Sequence, residues 1–253
     1  MDIPKKQWLS KVNYKLMSKG APWKSPRKIP HGHPIAVDVD SLVFMYMRQG
    51  WGAKRCAKSL AIICNTNKNY ILVYSTGVPI LKKDLYLERN ILDTPYNNRD
   101  HIRDKAVRYL LTRYLDATGC PRMVGTREAD KYCGKRYKYI ITEDVDVFLF
   151  GNSKTTIIHP LTYNMLRCKD YYMVHGISTH GNFLDVAIAI GTDYNYGIKG
   201  LGIKTIHKII VTNGYKNITE YLCATYDITS PSNKWYSDNY FKVLLYFTGS
   251  VSM

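Results

Sequence analysis

The fold follows from a stretch in the middle of the chain, Tyr139-Ile140-Ile141-Thr142-Glu143-Asp144-Val145-Asp146. Its three apolar residues predict a short buried strand, and the acidic residues begin where that strand ends. Earlier in the chain, Ile35-Ala36-Val37-Asp38 has the same order of apolar strand and terminal carboxylate. The carboxyl ends of parallel strands meet at one edge of a sheet. We therefore expect these carboxylates, far apart in sequence, to lie at the same edge.

The rest of the pattern indicates an α/β protein. Apolar runs predict two further strands, at 70–74 and 155–158. The segments outside the strands predict helices. These are 8–16, 42–48, 53–64, two within 80–117, one before Gly191 and one over 205–211. Strands that show no apolar–polar alternation and are separated by helices are typical of a parallel sheet covered on both faces. We predict a central, mostly parallel sheet flanked by helices.

The composition of the chain indicates which class of partner it binds. The chain has 253 residues, 45% of them hydrophobic, which excludes a disordered chain and leaves room for a core. Lysine and arginine total 36 against 20 acidic residues, a net charge of +16. Such an excess favours a polyanionic partner, with nucleic acid first and an anionic membrane surface second. No uncharged run approaches the length of a membrane span, so we expect no membrane partner.

The acidic residues are bunched rather than scattered. Eight of them fall in four places, which are Asp38 and Asp40, then Glu128 and Asp130, then Glu143, Asp144 and Asp146, and finally Asp193. Carboxylate oxygens are the ligands that Mg²⁺ and Mn²⁺ prefer, so the clusters indicate a metal site within a basic surface. The alternative is that each cluster marks a helix N-terminus, where carboxylates offset the helix dipole. Composition alone does not distinguish a metal site from carboxylates at helix N-termini.

A glycine-rich segment gives the second local signal. Gly200-Leu201-Gly202-Ile203-Lys204 directly precedes the predicted helix over 205–211. Glycines let the backbone approach a phosphate, and helix N-terminal amides bind it. A dinucleotide site would need a preceding apolar strand, which is absent here. A hairpin between two helices that grips a DNA backbone fits the segment better.

Six widely spaced cysteines form no Cys-x-x-Cys pair, which argues against zinc ribbons and redox motifs. A chain of this size and apolar content does not need disulfides. We expect reduced, mostly buried thiols and an intracellular protein.

In this order, the motifs resemble those of the flap endonuclease family, the XPG-type structure-specific 5′ nucleases. The resemblance covers about residues 35–213 and includes Ile35 to Asp38, Gly119 to Cys133, Thr142 to Gly151 and Gly191 to Lys204. It implies a PIN-like 5′-nuclease sheet, a helical arch over about 78–117 and a C-terminal helix-hairpin-helix element. We expect a nuclease domain over 1–190, and a DNA-binding element with the final helices over 191–253, packed as one unit.

The resemblance also implies roles for individual residues. The implied metal ligands are Asp38, Glu128, Asp130, Asp144, Asp146 and Asp193, holding two Mg²⁺ ions that Mn²⁺ could replace. The implied catalytic cations on the arch are Lys82 and Arg89, and Phe44 would stack on a base. The implied DNA-gripping hairpin residues are Lys199, Gly200, Gly202 and Lys204, a segment that holds a monovalent cation, K⁺, in the family.

Three departures from the family pattern bear on activity. Ser75 stands where the family has a metal-binding aspartate after its second strand, if the segment up to Lys82 and Arg89 aligns without gaps. The arch segment is shorter than in cellular flap nucleases. No segment after residue 214 resembles a sliding-clamp peptide. The compact build is similar to that of homologues encoded by large DNA viruses.

The leading hypothesis is a Mg²⁺-dependent flap endonuclease or 5′-3′ exonuclease, acting as a monomer on DNA with 5′ flaps or junctions in replication, repair or recombination. One alternative is an RNA endonuclease of the herpesvirus host-shutoff kind, disfavoured by the duplex-gripping hairpin. The other, motivated by Ser75, is a DNA-junction binding protein with impaired catalysis. A cellular enzyme would work in the nucleus, and a viral one in the host nucleus or cytoplasm.

Overall fold

A computed structural model describes most of the chain between residues 21 and 249. The described residues are 21–25, 32–66, 69–77, 82, 98–117, 123–198, 201–213, 220–221, 224–225 and 240–249. The predicted helix over 8–16, residues 78–81 and 83–97 of the predicted arch, and with them Arg89, lie outside the described residues.

One sheet of six strands organises the described residues, and it confirms the predicted fold class. The strands are β1 (Ile35–Asp38), β2 (Tyr70–Ser75), β3 (Met123–Thr126), β4 (Tyr139–Ile141), β5 (Thr156–Ile158) and β6 (Met165–Arg167). Their order across the sheet is β3-β2-β1-β4-β5-β6. The pairs β1–β2, β1–β4, β2–β3 and β4–β5 are all parallel. The two strands with acidic ends, β1 and β4, are therefore direct neighbours.

The helices come between and after the strands. They are α1 (Val39–Arg48), α2 (Ala53–Thr66), α3 (Asn98–Ala117), α4 (Ala129–Arg136), α5 (Val147–Phe150), α6 (Cys168–Met173), α7 (His180–Ile190), α8 (Ile203–Asn213) and α9 (Lys242–Thr248). Helix α1 begins three residues earlier than predicted, since the Asp38 side chain caps it by accepting a hydrogen bond from the Ser41 amide at 3.2 Å.

The core that supports the acidic edge lies between the sheet and helices α1, α2 and α3. Leu42, Leu60, Leu72 and Leu111 are fully buried there. Each contributes about 1.5–3 kcal/mol by leaving water. The strand ends thus project from a rigid base.

The chain divides into two compact units, the first comprising Trp23–Pro79 and Tyr86–Leu166. The second contains the described residues from Arg167 onward, together with Lys82. The predicted division into 1–190 and 191–253 remains a prediction.

Aromatic packing holds the second unit together. The rings of Tyr171 and Phe183 meet edge to face, with centroids 5.9 Å apart, and Tyr194 packs on Phe247 at 5.2 Å. Helix α7 ends at Gly191, whose φ of 107° suits glycine. The chain turns back there so closely that a Cβ on Gly197 would lie 1.9 Å from the Ile190 carbonyl oxygen.

The four cysteines that the structure describes, Cys56, Cys64, Cys133 and Cys168, are buried free thiols, as expected. None of the helices in the described ranges combines the length and the apolar character needed to cross a membrane.

Candidate metal centre

Two neighbouring strands and one helix bring carboxylates to the predicted edge. Asp38 is the last residue of β1. Asp144 and Asp146 follow β4, which pairs with β1 in parallel. Glu128 and Asp130 lie at the start of α4. These five predicted ligands all belong to the first compact unit.

Asp130, Asp144 and Asp146 form the tightest group. One carboxylate oxygen from each lies within 4.8 Å of the other two. Ligand oxygens around one octahedral Mg²⁺ stand about 2.0–2.1 Å from the ion, so opposite ligands are roughly 4 Å apart. The loop supports this spacing, because the Asp146 amide donates to Asp144 Oδ1 at 3.0 Å. The group fits a hard divalent cation in both donor type and spacing.

Asp38 is a buried carboxylate, with only 1% of its surface exposed. Burial raises the pKa of its carboxyl well above the ordinary value near 3.8, and the charges of Asp130, Asp40 and Asp144 raise it further. The hydrogen bond from the Ser41 amide opposes this shift. A cation at this edge would offset the free-energy cost of burying the Asp38 charge. It would also reduce the repulsion between Asp38 and the neighbouring carboxylates.

The structure assigns Thr142 a role that the sequence did not reveal. Its hydroxyl donates to Asp38 Oδ2 at 2.9 Å and accepts a hydrogen bond from the Asp144 amide at 3.0 Å. One fully buried side chain thus fixes the acidic ends of two neighbouring strands. A threonine directly between a strand and its acidic cluster was the available signal.

The alternative that the acids are only helix caps holds in part. Asp38 caps α1 through Oδ1. Glu128 and Asp146 occupy the cap positions of α4 and α5, but neither side chain makes a capping hydrogen bond. Capping therefore explains one of these carboxylates and leaves the cluster unexplained.

Helix α4 packs tightly against α5, the helix that directly follows Asp144 and Asp146. A Cβ added to Gly134 would lie 2.4 Å from the Val147 carbonyl oxygen and 3.0 Å from Phe150 Cβ. Only glycine allows that approach. The glycine therefore helps to bring Asp130 to the loop after β4.

The remaining two acids of these clusters, Asp40 and Glu143, bond to other protein groups. Asp40 accepts hydrogen bonds from the Ser75 amide at 2.7 Å and from Arg108 at 2.9 Å. Glu143 forms an ion pair with Arg48. Neither belongs to the three-carboxylate group.

Phe44 lies on the exposed side of α1, with 47% of its surface accessible. The Arg48 guanidinium lies 4.8 Å from the centre of its ring. An exposed aromatic ring beside a cation is a suitable platform for a nucleic-acid base.

The predicted residues of the second unit are described only in part. Asp193 is half-buried in the turn after α7, where Lys82 places its ammonium 4.5 Å from the ring centre of the neighbouring Tyr194. Gly202 and Lys204 flank the start of α8, with Lys204 exposed. Lys199 and Gly200 lie outside the described residues. Asp193 remains a predicted ligand, and the helix-hairpin-helix remains a prediction.

Comparison with known proteins supports the family resemblance, although no family model matches the chain. DNA repair protein RAD2 of Saccharomyces cerevisiae is 29% identical over 131 residues, 46% of this chain and 12% of that protein. Flap endonuclease 1 of Drosophila erecta is 32% identical over 117 residues, 41% of this chain and 29% of that protein. The Methanococcus aeolicus flap endonuclease 1 is 29% identical over 147 residues, 56% and 40% of the two chains. The chain thus spans less than half the length of these curated relatives.

Solved structures share the fold. The catalytic core of Rad2 in complex with DNA substrate superposes with a TM-score of 0.63 at 18% identity, covering 93% of this chain and 83% of that one. The flap endonuclease of bacteriophage T5, in complex with DNA and metal ions, gives 0.55 at 15% identity, covering 84% and 88%. Sequence and fold together confirm the resemblance to XPG-type 5′ nucleases, in a divergent form.

Proposed function

We propose that this relative of the XPG-type 5′ nucleases is a divalent-metal-dependent, structure-specific nuclease that hydrolyses phosphodiester bonds in branched DNA. The observation that carries the proposal is the group of Asp130, Asp144 and Asp146 at the carboxyl edge of the sheet. The same chain carries a net charge of +16. Basic surface would hold the polyanion, and the acidic group would hold the metal.

The three grouped carboxylates would hold one ion. Asp38 and Glu128 would complete a two-ion site for Mg²⁺ or Mn²⁺, and the family resemblance implies Asp193 as a further ligand. Such a pair, when bound, lowers the pKa of water and neutralises charge on the leaving oxygen. Thr142 would keep the Asp38 and Asp144 carboxylates in register for this task.

The cationic and aromatic residues would bind and position the DNA. Lys82 and Arg89 would offset the negative charge that develops on the transferring phosphate. Phe44 would stack on a base at the junction, beside Arg48. Lys199, Gly200, Gly202 and Lys204 would grip the duplex backbone, with K⁺ bound at that hairpin. The Rad2 and phage structures, which contain DNA, support DNA as the substrate.

The test is cleavage of a 5′-flap DNA by the full chain in Mg²⁺, in Mn²⁺ and in EDTA. We expect product with either metal and none in EDTA. A matched flap of RNA in the same buffers distinguishes the nucleic acids. Cleavage of the RNA alone would replace the proposal with an RNA endonuclease.

A second candidate rests on Ser75, which stands where the resemblance places a metal-binding aspartate. In this case the chain would bind DNA junctions and hydrolyse them poorly. Tight binding of flap DNA with no product in either metal would support this candidate and end the enzyme proposal.

A further inference from the structure

We infer that Ser75, Asp40 and Arg108 form a positioning network that sets helix α4 and, with it, the carboxylates of Glu128 and Asp130. The inference rests on the proposed metal-dependent function, and it assigns Ser75 a task of its own. In this network, Ser75 contacts helix α4, and Asp40 and Arg108 hold Ser75 in place.

The Ser75 hydroxyl caps α4 from outside that helix. Ser75 Oγ accepts a hydrogen bond from the Ala129 amide at 3.0 Å. Ala129 is the first residue of α4, where backbone amides have no partner within the helix. The cap residue itself, Glu128, makes no capping bond with its side chain. Ser75 therefore supplies an oxygen that a cap side chain would otherwise provide.

Charged side chains fix Ser75 on both sides of its backbone. Its amide donates to Asp40 Oδ2 at 2.7 Å, and its carbonyl oxygen accepts a hydrogen bond from Arg108. Arg108 also donates to Asp40 Oδ1 at 2.9 Å, which closes a ring of contacts between α1, β2 and α3. Roughly a quarter of the Arg108 and Asp40 side-chain surface is exposed, at 27% and 29%, so water competes only partly for these bonds.

The position of α4 matters because the helix carries a ligand of the tightest group. Asp130 follows Ala129 directly and contributes an oxygen to the 4.8 Å group with Asp144 and Asp146. A shift in the first turn of α4 would move this oxygen away from the other two. Residues that orient metal ligands typically change affinity by about 10–100-fold when replaced.

The test measures Mn²⁺ binding by the full chain without nucleic acid, using electron paramagnetic resonance to count free Mn²⁺. We expect Ser75→Ala to raise the dissociation constant roughly tenfold, within the range for such residues. Ser75→Thr, which keeps the hydroxyl, should restore it to within about twofold of the unmodified chain, since the accepted hydrogen bond is retained. Arg108→Gln should weaken binding in the same direction, and less than additively with Ser75→Ala.

The matched control is Thr76→Val in the next residue. The Thr76 hydroxyl donates to the Thr126 carbonyl oxygen at 3.0 Å. It thus lies at the same strand end but bonds to β3 instead of α4. We expect Mn²⁺ affinity to be unchanged. Thermal unfolding of each variant shows whether the fold is retained, and Arg108→Gln takes the place of Ser75→Ala if that variant fails to fold.

The outcomes separate the inference from the proposed function. If the unmodified chain binds Mn²⁺ and Ser75→Ala binds it equally well, the positioning network is wrong and the proposed function stands. Equal loss in Thr76→Val would also overturn the network, because any hydroxyl at this strand end would then matter. An unmodified chain that binds no Mn²⁺ would overturn both.

Discussion

The Asp38 side chain combines two opposing effects within one carboxylate. Its oxygens accept hydrogen bonds from the Ser41 amide and the Thr142 hydroxyl, which stabilise the charge. Burial and the nearby Asp130, Asp40 and Asp144 charges oppose ionisation more strongly, so the pKa is raised. If Asp38 is ionised in the metal-free chain, its buried charge therefore lowers the stability of the fold.

That balance predicts a pH-dependent stability effect of Asp38→Asn. Because the folded pKa lies above the unfolded one, the carboxylate destabilises the fold as pH rises from about 3.8 through the folded pKa. In EDTA, the variant should therefore become more stable than the unmodified chain above that window, because it carries no buried charge there.

Thermal unfolding from pH 4 to pH 8 measures this difference, with Asp116→Asn, an exposed acid on α3, as the control. The stability gain of Asp38→Asn should vanish near pH 4, the acid end of this range. A variant less stable than the unmodified chain at pH 8 in EDTA would show that Asp38 stabilises the fold, contrary to the account.

At the scale of elements, the close approach of α4 to α5 depends on Gly134. Gly134→Ala would press a methyl group against the Val147 carbonyl oxygen, 2.4 Å from the ideal Cβ position. Overpacking of this kind costs about 1–3 kcal/mol. Urea unfolding should show that loss. Gly52→Ala, where a Cβ meets nothing within 4 Å, should be much milder, and equal effects would contradict the packing described.

The proposed base-stacking residue on helix α1 is the exposed Phe44. Phe44→Ala should lower flap cleavage at subsaturating DNA by about five- to 150-fold, since stacking contributes roughly 1–3 kcal/mol per base. Mn²⁺ affinity should stay unchanged. Phe241 is exposed to the same extent, 47%, and Phe241→Ala is the matched control. Equal rates for Phe44→Ala and the unmodified chain would remove the stacking role.

The central strands were predictable from sequence, and the edges of the sheet were not. Strands β1, β2, β4 and β5 were predicted because each is an apolar run. Strands β3 and β6 were missed, and they are the two edge strands. Edge strands need less apolar surface, and β3 also contains Gly125. The ion pair between Asp40 and Arg108 also could not be predicted from the sequence, because such contacts depend on how α3 packs against β2 and α1.

At the scale of the whole molecule, a surplus of 16 positive charges predicts strongly salt-dependent DNA binding. Affinity for flap DNA should fall about a thousandfold between roughly 50 and 200 mM salt if about six phosphates are contacted. Fluorescence anisotropy of Asp144→Asn in EDTA measures this without cleavage. An affinity independent of salt would contradict a basic DNA-binding surface.

The central claim is that the carboxylate group at the sheet edge performs metal-dependent hydrolysis. The most direct measurement is single-turnover cleavage of a 5′-flap DNA in Mg²⁺ by the unmodified chain, by Asp144→Asn and by Asp116→Asn. We predict product from the unmodified chain and Asp116→Asn, and a rate at least about 100-fold lower for Asp144→Asn, which should still bind the flap. Cleavage by Asp144→Asn at the unmodified rate would contradict the account.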